Sequence, residues 1–500
     1  MSAPPAERIA LALVSHTNAG KTTLARTLLR RDVGTVRDAP HVTEAAERFT
    51  LVDTAEGDVL ELWDTPGFGD SVRLARRLAQ RGNPLGWFLT EVWDRFRDRP
   101  FWSTQQAIHA ALDHADLVLY LVNASEHPSD AGYVQPELKV LELIGRPVLV
   151  LLNQTGAPKP AHEEATEMQA WRTHLAASRL VRDVLVLDAF TRCWVQELKL
   201  FDAVAGLLPA ERQPAFGRLS AAWRAQREGT FEQSMRVLAQ RLARAATDRE
   251  KVADVGLRDR LRELGTALGL PRPGEATPKE AAMAALAARL DADIRAGTER
   301  LIALHGLGGH ARDEIFERLA GHYAISERLS EGKAALLGGA ITGALTGLKA
   351  DLATGGLTLG GGLLIGGVLG ALGAAGMARG YNLVRGAEQT DVAWTDEVLD
   401  ELAASGLLAY LAIAHHGRGR GDWTASAYPA HWQEAVRAAL LEHRAGFASL
   451  WEQRTGSRSE QELATMLAAE LTPAARTILT RLYPDAGLTS APGTASTVSL

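Results

Sequence analysis

The sequence predicts an α/β domain built on a mostly parallel sheet with helices on both faces, followed by an all-α C-terminal half. Across the first 205 residues, short β-branched or leucine-rich runs alternate with helical stretches, which is typical of a parallel sheet covered by helices. Beyond about residue 206 the strand pattern disappears, and apolar residues recur at helical spacings. The strand-like runs are Ile9–Val14, Val59–Trp63, Leu117–Val122, Pro147–Leu152 and Val184–Leu187.

Two features refine this outline. Phe49–Val52 and Val59–Trp63 flank a short run of turn residues and predict a hairpin, so one edge of the sheet should be antiparallel. In the second half, the capping box that begins at Thr277 predicts a helix running to His305, and a further helix should run from Thr395 to His416.

Length and composition limit the classes of protein that fit. The chain has 500 residues, enough for two to four domains of about 100–200 residues each. Its 54 basic and 60 acidic residues give a net charge of −6, so we expect no nucleic-acid partner. A single cysteine, Cys193, excludes an internal disulfide and a cysteine-based zinc site. The apolar run Ile9–Val14 is too short for a secretory signal, and we expect a cytoplasmic protein.

These patterns divide the chain into five predicted segments. They are an α/β domain at 1–205, a helical domain at 206–330, a glycine-rich apolar hairpin at 331–385, a C-terminal helical region at 386–486 and a disordered tail at 487–500.

The stretch Ser15–Thr22 departs from the phosphate-loop pattern G-x-x-x-x-G-K-[S/T] only in placing serine at the first glycine. A predicted strand precedes it and a predicted helix follows, which is the order that the motif requires. Such a loop aims backbone N–H groups at phosphate, and the helix N-terminus adds a favourable partial charge. The nucleotide-binding residues expected here are Ser15, His16, Thr17, Asn18, Ala19, Gly20, Lys21, Thr22 and Thr23.

A second motif, Asp64-Thr-Pro-Gly67, ends the predicted strand Val59–Trp63. We expect Lys21 to reach the β- and γ-phosphates, the Thr22 hydroxyl and Asp64 to hold Mg²⁺, and the Gly67 N–H to meet the γ-phosphate. Alone, the second motif would indicate only a common turn. Because a phosphate loop precedes it in the chain, the two motifs together indicate a nucleotide-binding site.

A threonine between the two motifs is expected to sense the γ-phosphate and to join Thr22 and Asp64 as a metal ligand. Thr43 lies in a polar segment that could fold over the nucleotide, and Thr35 is the second candidate. A plain loop threonine is the alternative to both. The predicted catalytic set is therefore Lys21, Thr43 and Gly67.

With Asn153 added, this order of motifs resembles the translation-factor-related GTPases, especially the Era and tRNA-modifying branch, over about residues 8–205. The chain is most similar to a bacterial group that joins such a domain to a C-terminal region of unknown function; the similar pieces are Asp32–Gly34, Leu60–Gly67 and Glu137–Leu141. The resemblance implies a P-loop fold, GTP as ligand, Mg²⁺ as cofactor and GTP hydrolysis. It also implies a K⁺ site near the phosphates, because Asn18 matches the residue that helps to hold potassium in the Era branch.

The base-reading motif departs from that family. The family pattern N-K-x-D is replaced by Asn153-Gln154-Thr155-Gly156, in which Asn153 matches and Gln154 could still lie along the base, but Gly156 carries no acceptor for guanine. Without this hydrogen-bond acceptor the site discriminates weakly between guanine and adenine, so ATP remains an alternative ligand. Asp188 either supplies the missing carboxylate or is a solvated loop acid, and the second interpretation is favoured.

The residue after Gly67 is Phe68, where Ras-like enzymes have a glutamine that orients water. Hydrolysis should therefore be slow, or completed by a group from elsewhere in the chain or from a partner. An arginine of the segment 71–99 could act as an arginine finger, although a solvated, partly packed helix pair is favoured there. The arginines concerned are Arg73, Arg76, Arg77, Arg81, Arg95, Arg97 and Arg99.

The second half contains two long uncharged, glycine-rich arms, 334–348 and 352–378. Glycines recur at every fourth position, which permits close helix packing, so we expect a glycine-zipper hairpin that contacts a membrane. Lys333 and Arg379 would place positive charge at the cytoplasmic ends, on the inner face of the cell membrane. A hairpin buried within a soluble helical domain is the alternative.

The function predicted from these features is a Mg²⁺-dependent GTP-binding and hydrolysing switch that couples nucleotide state to a membrane-associated helical half. An unidentified protein partner or a homodimer would receive the signal. The alternative is a weakly hydrolysing nucleotide-binding scaffold, for GTP or ATP, that regulates protein partners.

Overall fold

The computed structural model describes residues 6–31, 33, 46–80, 82, 84–90, 98–189, 192–252, 278–307, 381–385, 390–417, 428–454 and 458–488. Thr35, Thr43, the glycine-rich arms at 334–378 and most of the predicted tail lie outside these ranges. The chain forms two compact units. Unit 1 comprises Met1–Thr230, Ala414–Trp423 and Leu479–Thr489, and unit 2 comprises Phe231–Ile413, Thr424–Ile478 and Ser490–Leu500.

Unit 1 contains a six-stranded sheet in the order β2-β3-β1-β4-β5-β6. Its strands are β1 Arg8–Ser15, β2 Glu47–Asp53, β3 Val59–Asp64, β4 Leu117–Asn123, β5 Val148–Asn153 and β6 Val181–Val186. All neighbours are parallel except β2 and β3, which pair antiparallel at the edge. The predicted α/β architecture and its edge hairpin are confirmed.

Helices cover the sheet because its central strands are apolar on both faces. Strands β4 and β5 are buried along nearly their whole length, which only helices on both sides can achieve. The helices of unit 1 are α1 Lys21–Leu29, α2 Ser71–Leu78, α3 Pro84–Thr90, α4 Arg99–Asp113, α5 Val134–Glu142, α6 Ala161–Leu175 and α7 Trp194–Leu207. Helix α8, Gln213–Thr247, begins in unit 1 and ends in unit 2.

Unit 2 is helical, as predicted. Its helices are α9 Pro278–Leu304, α10 Asp396–Ala414, α11 Ala430–Glu442, α12 Arg444–Gln453 and α13 Glu460–Leu482; the last residue of α10 and the last turn of α13 belong to unit 1. Helices α9 and α10 match the two helices expected from Thr277 and Thr395. The boundaries of the five predicted segments stay predictions.

A small antiparallel sheet in unit 2 was not predicted. It runs in the order β7-β9-β8, with β7 at Arg249–Lys251, β8 at Tyr381–Arg385 and β9 at Thr390–Trp394. The first of these strands has only three residues, all charged, so the sequence carries no strand pattern there. Within the described ranges, none of the helices is long and apolar enough to cross a membrane.

Candidate nucleotide-binding site

The phosphate loop joins β1 to α1 at the carboxyl edge of the parallel strands. Asn18 and Gly20 adopt positive φ angles of 66° and 90°. A Cβ on Gly20 would lie 2.5 Å from the Asn153 side-chain nitrogen, so only glycine fits. Ser15, where the motif has its first glycine, lies in β1 without a positive φ, and serine is therefore accommodated there.

Lys21, the first residue of α1, is buried beneath this loop. Its ammonium donates to the Ser15 hydroxyl at 2.9 Å. Burial lowers the pKa of Lys21 to about 8, against the opposing effect of the nearby Asp64 and Glu137 carboxylates. A phosphate group bound at this loop would stabilise the buried positive charge.

Thr22 and Asp64 meet next to Lys21. The Thr22 hydroxyl donates to Asp64 Oδ2 at 2.6 Å, while the buried Asp64 Oδ1 has no hydrogen-bond partner among the residues that the structure describes. Burial raises the pKa of Asp64 to about 6, although the Thr22 hydrogen bond and Lys21 act in the opposite direction. An unsatisfied carboxylate oxygen beside a hydroxyl suits a hard cation, so the residues fit Mg²⁺. Thr43, the third predicted ligand, lies outside the described residues.

The described residues contain no cluster of three histidine, cysteine or acidic side chains able to hold a metal. A metal site of the nucleotide type needs no such cluster, because one hydroxyl, one carboxylate and the substrate phosphates are its ligands.

The loop that follows Asp64 lies directly against the phosphate loop. The backbone N–H and the hydroxyl of Thr17 both donate to the Phe68 carbonyl, at 3.2 and 2.8 Å, and the Phe68 N–H donates to the Ser15 carbonyl at 2.8 Å. A Cβ on Gly67 would lie 2.8 Å from Thr17 Cα. The Phe68 side chain itself is fully buried in the apolar core, so it has no access to a water molecule at the phosphates.

A buried polar network lies behind the loop and was not found from the sequence. His16 Nδ1 lies 2.6 Å from the buried Glu137 carboxylate, which also accepts from the Tyr120 hydroxyl at 2.7 Å. The His16 ring stacks on Tyr133 with a centroid separation of 4.6 Å. Burial raises the pKa of Glu137, with His16 the strongest opposing influence. The sequence marked Glu137 only as part of Glu137–Leu141, one of the pieces similar to the bacterial group, and gave no partner for its carboxylate.

Asn153, at the end of β5, connects three segments of the site. Its side-chain amide donates to the Ala19 carbonyl at 2.7 Å, and its oxygen accepts from the Ala189 N–H at 2.7 Å. Gln154, with φ of 60°, donates from its side chain to the Asn18 carbonyl at 3.2 Å. Both predicted base-side residues therefore contact the phosphate loop.

Asp188 is not a solvated loop acid, and the interpretation favoured from the sequence is wrong in that respect. The side chain is buried, and its Oδ2 accepts from the Thr155 N–H at 2.6 Å and from the Thr155 hydroxyl at 2.8 Å. Its role in the structure is to hold the loop after β5, at Thr155, against the loop after β6. Gly156, where the family motif has its aspartate, has a φ of 86°, and a Cβ at this position would meet no atom within 4 Å.

The basic segment forms a helix pair, α2 and α3, as the favoured interpretation expected. Arg73 and Arg77 lie over the ring of Phe101, at 4.1 and 5.1 Å from its centroid, and Arg73 is also 3.6 Å from Asp98. These two guanidiniums therefore pack on α4. Arg81, Arg95 and Arg97 lie outside the described residues.

Comparison with known proteins agrees with this architecture. Residues 10–154 match the family described as 50S ribosome-binding GTPase, and residues 172–472 match DUF3482, a domain of unknown function. No curated protein is matched by the chain.

Several solved structures are similar to part of the chain. Era in complex with MgGDPNP and nucleotides of 16S ribosomal RNA is 16% identical, with a TM-score of 0.31 over 41% of this chain and 58% of that one. An Era variant from Aquifex aeolicus bound to GDP and AlF4⁻ is 19% identical, with a TM-score of 0.30 over 40% and 57%. A bacterial selenocysteine-specific elongation factor is 14% identical, with a TM-score of 0.25 over 40% and 28%. The chain thus spans less than two thirds of the length of each of these proteins.

The DUF3482 match extends over more than half of the chain, and the GTPase match contains the phosphate loop, the Asp64 motif and Asn153. The chain therefore belongs to the DUF3482 family and joins an N-terminal P-loop GTPase domain to the domain of unknown function that defines that family.

Proposed function

We propose that this protein is a Mg²⁺-dependent switch that binds and hydrolyses GTP and couples its nucleotide state to the helical C-terminal half. The observation that carries the proposal is the Thr22–Asp64 contact beside buried Lys21, in which one Asp64 oxygen has no hydrogen-bond partner within the described part of the chain. Burying incompletely satisfied charged groups is costly; in a bound magnesium nucleotide, the metal would bind the second Asp64 oxygen and a phosphate would pair with the Lys21 ammonium.

The residues of the chain have distinct roles in this proposal. Lys21 and the N–H groups of the phosphate loop would hold the β- and γ-phosphates, and Thr22 with Asp64 would hold the metal. Mg²⁺ supplies charge neutralisation on the phosphate oxygens when it is bound. Gly67, which packs closely against Thr17 of the phosphate loop, would donate its N–H to the γ-phosphate.

Intrinsic hydrolysis should be slow. Phe68 points into the core, so its side chain cannot orient the attacking water. Arg73 and Arg77, two of the candidates for an arginine finger, pack on the ring of Phe101. We propose that a partner, or a second copy of the chain, supplies a catalytic group such as an arginine finger. In other GTPases an arginine finger raises the hydrolysis rate about 10³–10⁵-fold.

A weakly hydrolysing nucleotide-binding scaffold that regulates protein partners is the second candidate function. Two observations favour it: the buried Phe68 and the absence of an acceptor side chain at Gly156. In that case GTP and ATP would bind with similar affinity and would act as structural switches without rapid turnover.

We also propose that the segment 334–378 contacts the inner face of the cell membrane and that K⁺ near Asn18 stimulates hydrolysis. The first rests on the uncharged, glycine-rich composition of that segment, and the second on the family resemblance of the phosphate loop. Flotation of the full chain with liposomes, beside a variant lacking 334–378, tests the first. Replacement of K⁺ by Na⁺ in a hydrolysis assay tests the second, and an unchanged rate would exclude it.

The central experiment measures GTP affinity and phosphate release for the unaltered chain, Lys21→Ala and Lys139→Ala, with and without liposomes. Lys139 is an exposed lysine on α5 and serves as the matched control. Loss of GTP binding with Lys21→Ala alone supports the proposal. Binding without phosphate release under any of these conditions supports the scaffold, and no binding of GTP or ATP by the unaltered chain overturns both.

A further inference from the structure

Two arginines hydrogen-bond to carbonyls in the last turn of α1, the helix whose first residue is Lys21. Arg227, on α8, donates from its guanidinium to the Leu28 carbonyl at 3.0 Å. Arg192, just before α7, donates to the Thr27 carbonyl. The last carbonyls of a helix have no partner within the helix, and cations are favourable there. Both arginines are therefore placed to hold this end of α1.

A single carboxylate pairs with both of them. Glu197, on α7, is fully buried; its Oε2 lies 2.7 Å from Arg227 Nε, and its other oxygen pairs with Arg192. The Arg227 guanidinium also stacks on the Trp223 ring at 3.9 Å. Buried ion pairs need good geometry to offset the cost of removing charge from water. The cluster of Arg192, Glu197 and Arg227 therefore connects α1, α7 and α8 through one buried carboxylate.

The same end of α1 is connected to Asn153 through Ala189, in the loop after β6. The Thr27 hydroxyl donates to the Ala189 carbonyl at 2.9 Å, and the Ala189 N–H donates to Asn153, which holds the phosphate loop at Ala19. A shift of the end of α1 would therefore disturb the nucleotide site at two places, through Lys21 and through Asn153.

We propose that Arg227 is a positioning residue for nucleotide binding. It acts through Glu197 and Leu28 to fix the position of α1. Lys21 and Thr22, at the other end of that helix, are thereby held where they can bind phosphate and metal. Because Arg227 belongs to the part of the chain matched by DUF3482, the GTPase domain depends on helix α8 of that region for full nucleotide affinity. This inference rests on the proposed function, since it presumes that the phosphate loop binds nucleotide.

The test compares two arginines of α8 in the full chain. Arg227→Met removes the guanidinium at α1, whereas Arg218→Met removes one that pairs with buried Asp58, at 2.6 and 3.0 Å, and does not contact α1. Dissociation constants for GDP and for a non-hydrolysable GTP analogue are measured, together with thermal unfolding of the nucleotide-free proteins and the KM and kcat of hydrolysis.

We expect Arg227→Met to raise both dissociation constants and KM at least tenfold, with kcat changed less than threefold. Arg218→Met should lower the unfolding temperature with both dissociation constants within twofold of the unaltered chain. If Arg227→Met binds nucleotide as tightly as Arg218→Met, the cluster is only structural and the inference is wrong. Should Arg227→Met not fold, Arg227→Lys decides: a threefold or larger rise in the dissociation constants supports the inference, and none overturns it. Absence of binding in the unaltered chain would instead remove the proposed function.

Discussion

The Asn153 side-chain amide donates to the carbonyl of Ala19 across 2.7 Å, and this bond ties the base side of the site to the phosphate loop. Its oxygen accepts the Ala189 N–H, so both ends of the amide are used. One buried asparagine thus sets the distance between the phosphate loop and the loop after β6, the segments that would contact the phosphates and the base.

Asn153→Ala should weaken GTP binding by about 10–100-fold. The substitution leaves two buried backbone groups without partners, each costing about 1–3 kcal/mol, of which part is lost from binding. Asn123→Ala is the matched control, since Asn123 pairs with Asn153 in the sheet register but its side chain hydrogen-bonds within its own turn, to Ser125 and Glu126. Titration calorimetry measures both; equal affinity in the two variants would contradict a linking role for Asn153.

Gly67→Ala should slow single-turnover GTP hydrolysis by about tenfold or more while GDP binding changes little. The new Cβ would meet backbone at Thr17 Cα, 2.8 Å away, so the loop must retreat from the γ-phosphate position. Gly132→Ala is the control, because a Cβ there meets nothing within 4 Å. An unaltered hydrolysis rate in Gly67→Ala would show that the backbone of this loop is not used in catalysis.

The phosphate side of this site could be predicted from the sequence because its information is local. Ser15–Thr22 and the Asp64 motif each lie between a strand and the next element, so spacing alone identified them. The contacts of Arg227 could not be predicted, since it meets Leu28 across 199 positions of sequence. Glu137 was missed for the same reason, as its partner His16 is 121 positions away.

Solvent exposure was equally hard to predict. Asp188 follows a strand in a run that carries no helical or strand pattern, which favours a surface loop, yet Thr155 from the neighbouring loop covers its carboxylate. The pairing becomes visible only when β5 and β6 lie side by side.

Cys193 should resist thiol reagents in the folded protein. It is fully buried, and burial raises the pKa of the thiol to about 12, so almost no thiolate exists at pH 8. As the chain has one cysteine, labelling reports the opening of unit 1 directly. We expect labelling at least about 100-fold slower than in denaturant, and slower again with GTP and Mg²⁺, because ligand binding stabilises the folded state. Rapid labelling of the native chain would contradict the burial of this residue.

Glu164→Gln should stabilise the nucleotide-free protein at high pH. Burial raises the pKa of Glu164 to about 7, with Lys199 opposing and Glu167 adding to the shift. The folded state therefore holds this proton more tightly than the unfolded chain, whose glutamates titrate near 4.3, and the free energy of unfolding falls as pH rises from about 4 through about 7.

The expected gain for Glu164→Gln is about 1–3 kcal/mol at pH 8, vanishing by about pH 4. Denaturant unfolding curves across this pH range measure it. Glu163→Gln, at the exposed neighbouring position on α6, removes the same charge from the surface and is the control. A gain that is independent of pH would exclude Glu164 titration as the cause.

Gly156→Asp should increase the preference for GTP over ATP by about tenfold or more. The native residue offers no side-chain acceptor, and Asp188 is already engaged by Thr155, so little in the described loop can select guanine by hydrogen bonding. A buried acceptor for guanine N–H groups can account for roughly 10⁴-fold selectivity. The φ of 86° costs an aspartate about 1–2 kcal/mol, but a Cβ there meets no atom within 4 Å, so the side chain fits.

The control for this gain is Gly145→Asp, a second glycine with positive φ, 68°, and open space, in the turn between α5 and β5. It carries the same backbone strain without lying next to Asn153 and Gln154. Competition between labelled GTP and unlabelled ATP measures the preference in each variant. If Gly145→Asp and Gly156→Asp leave the ratio equally unchanged, position 156 does not face the base. Guanine selection would then have to come from another part of the chain.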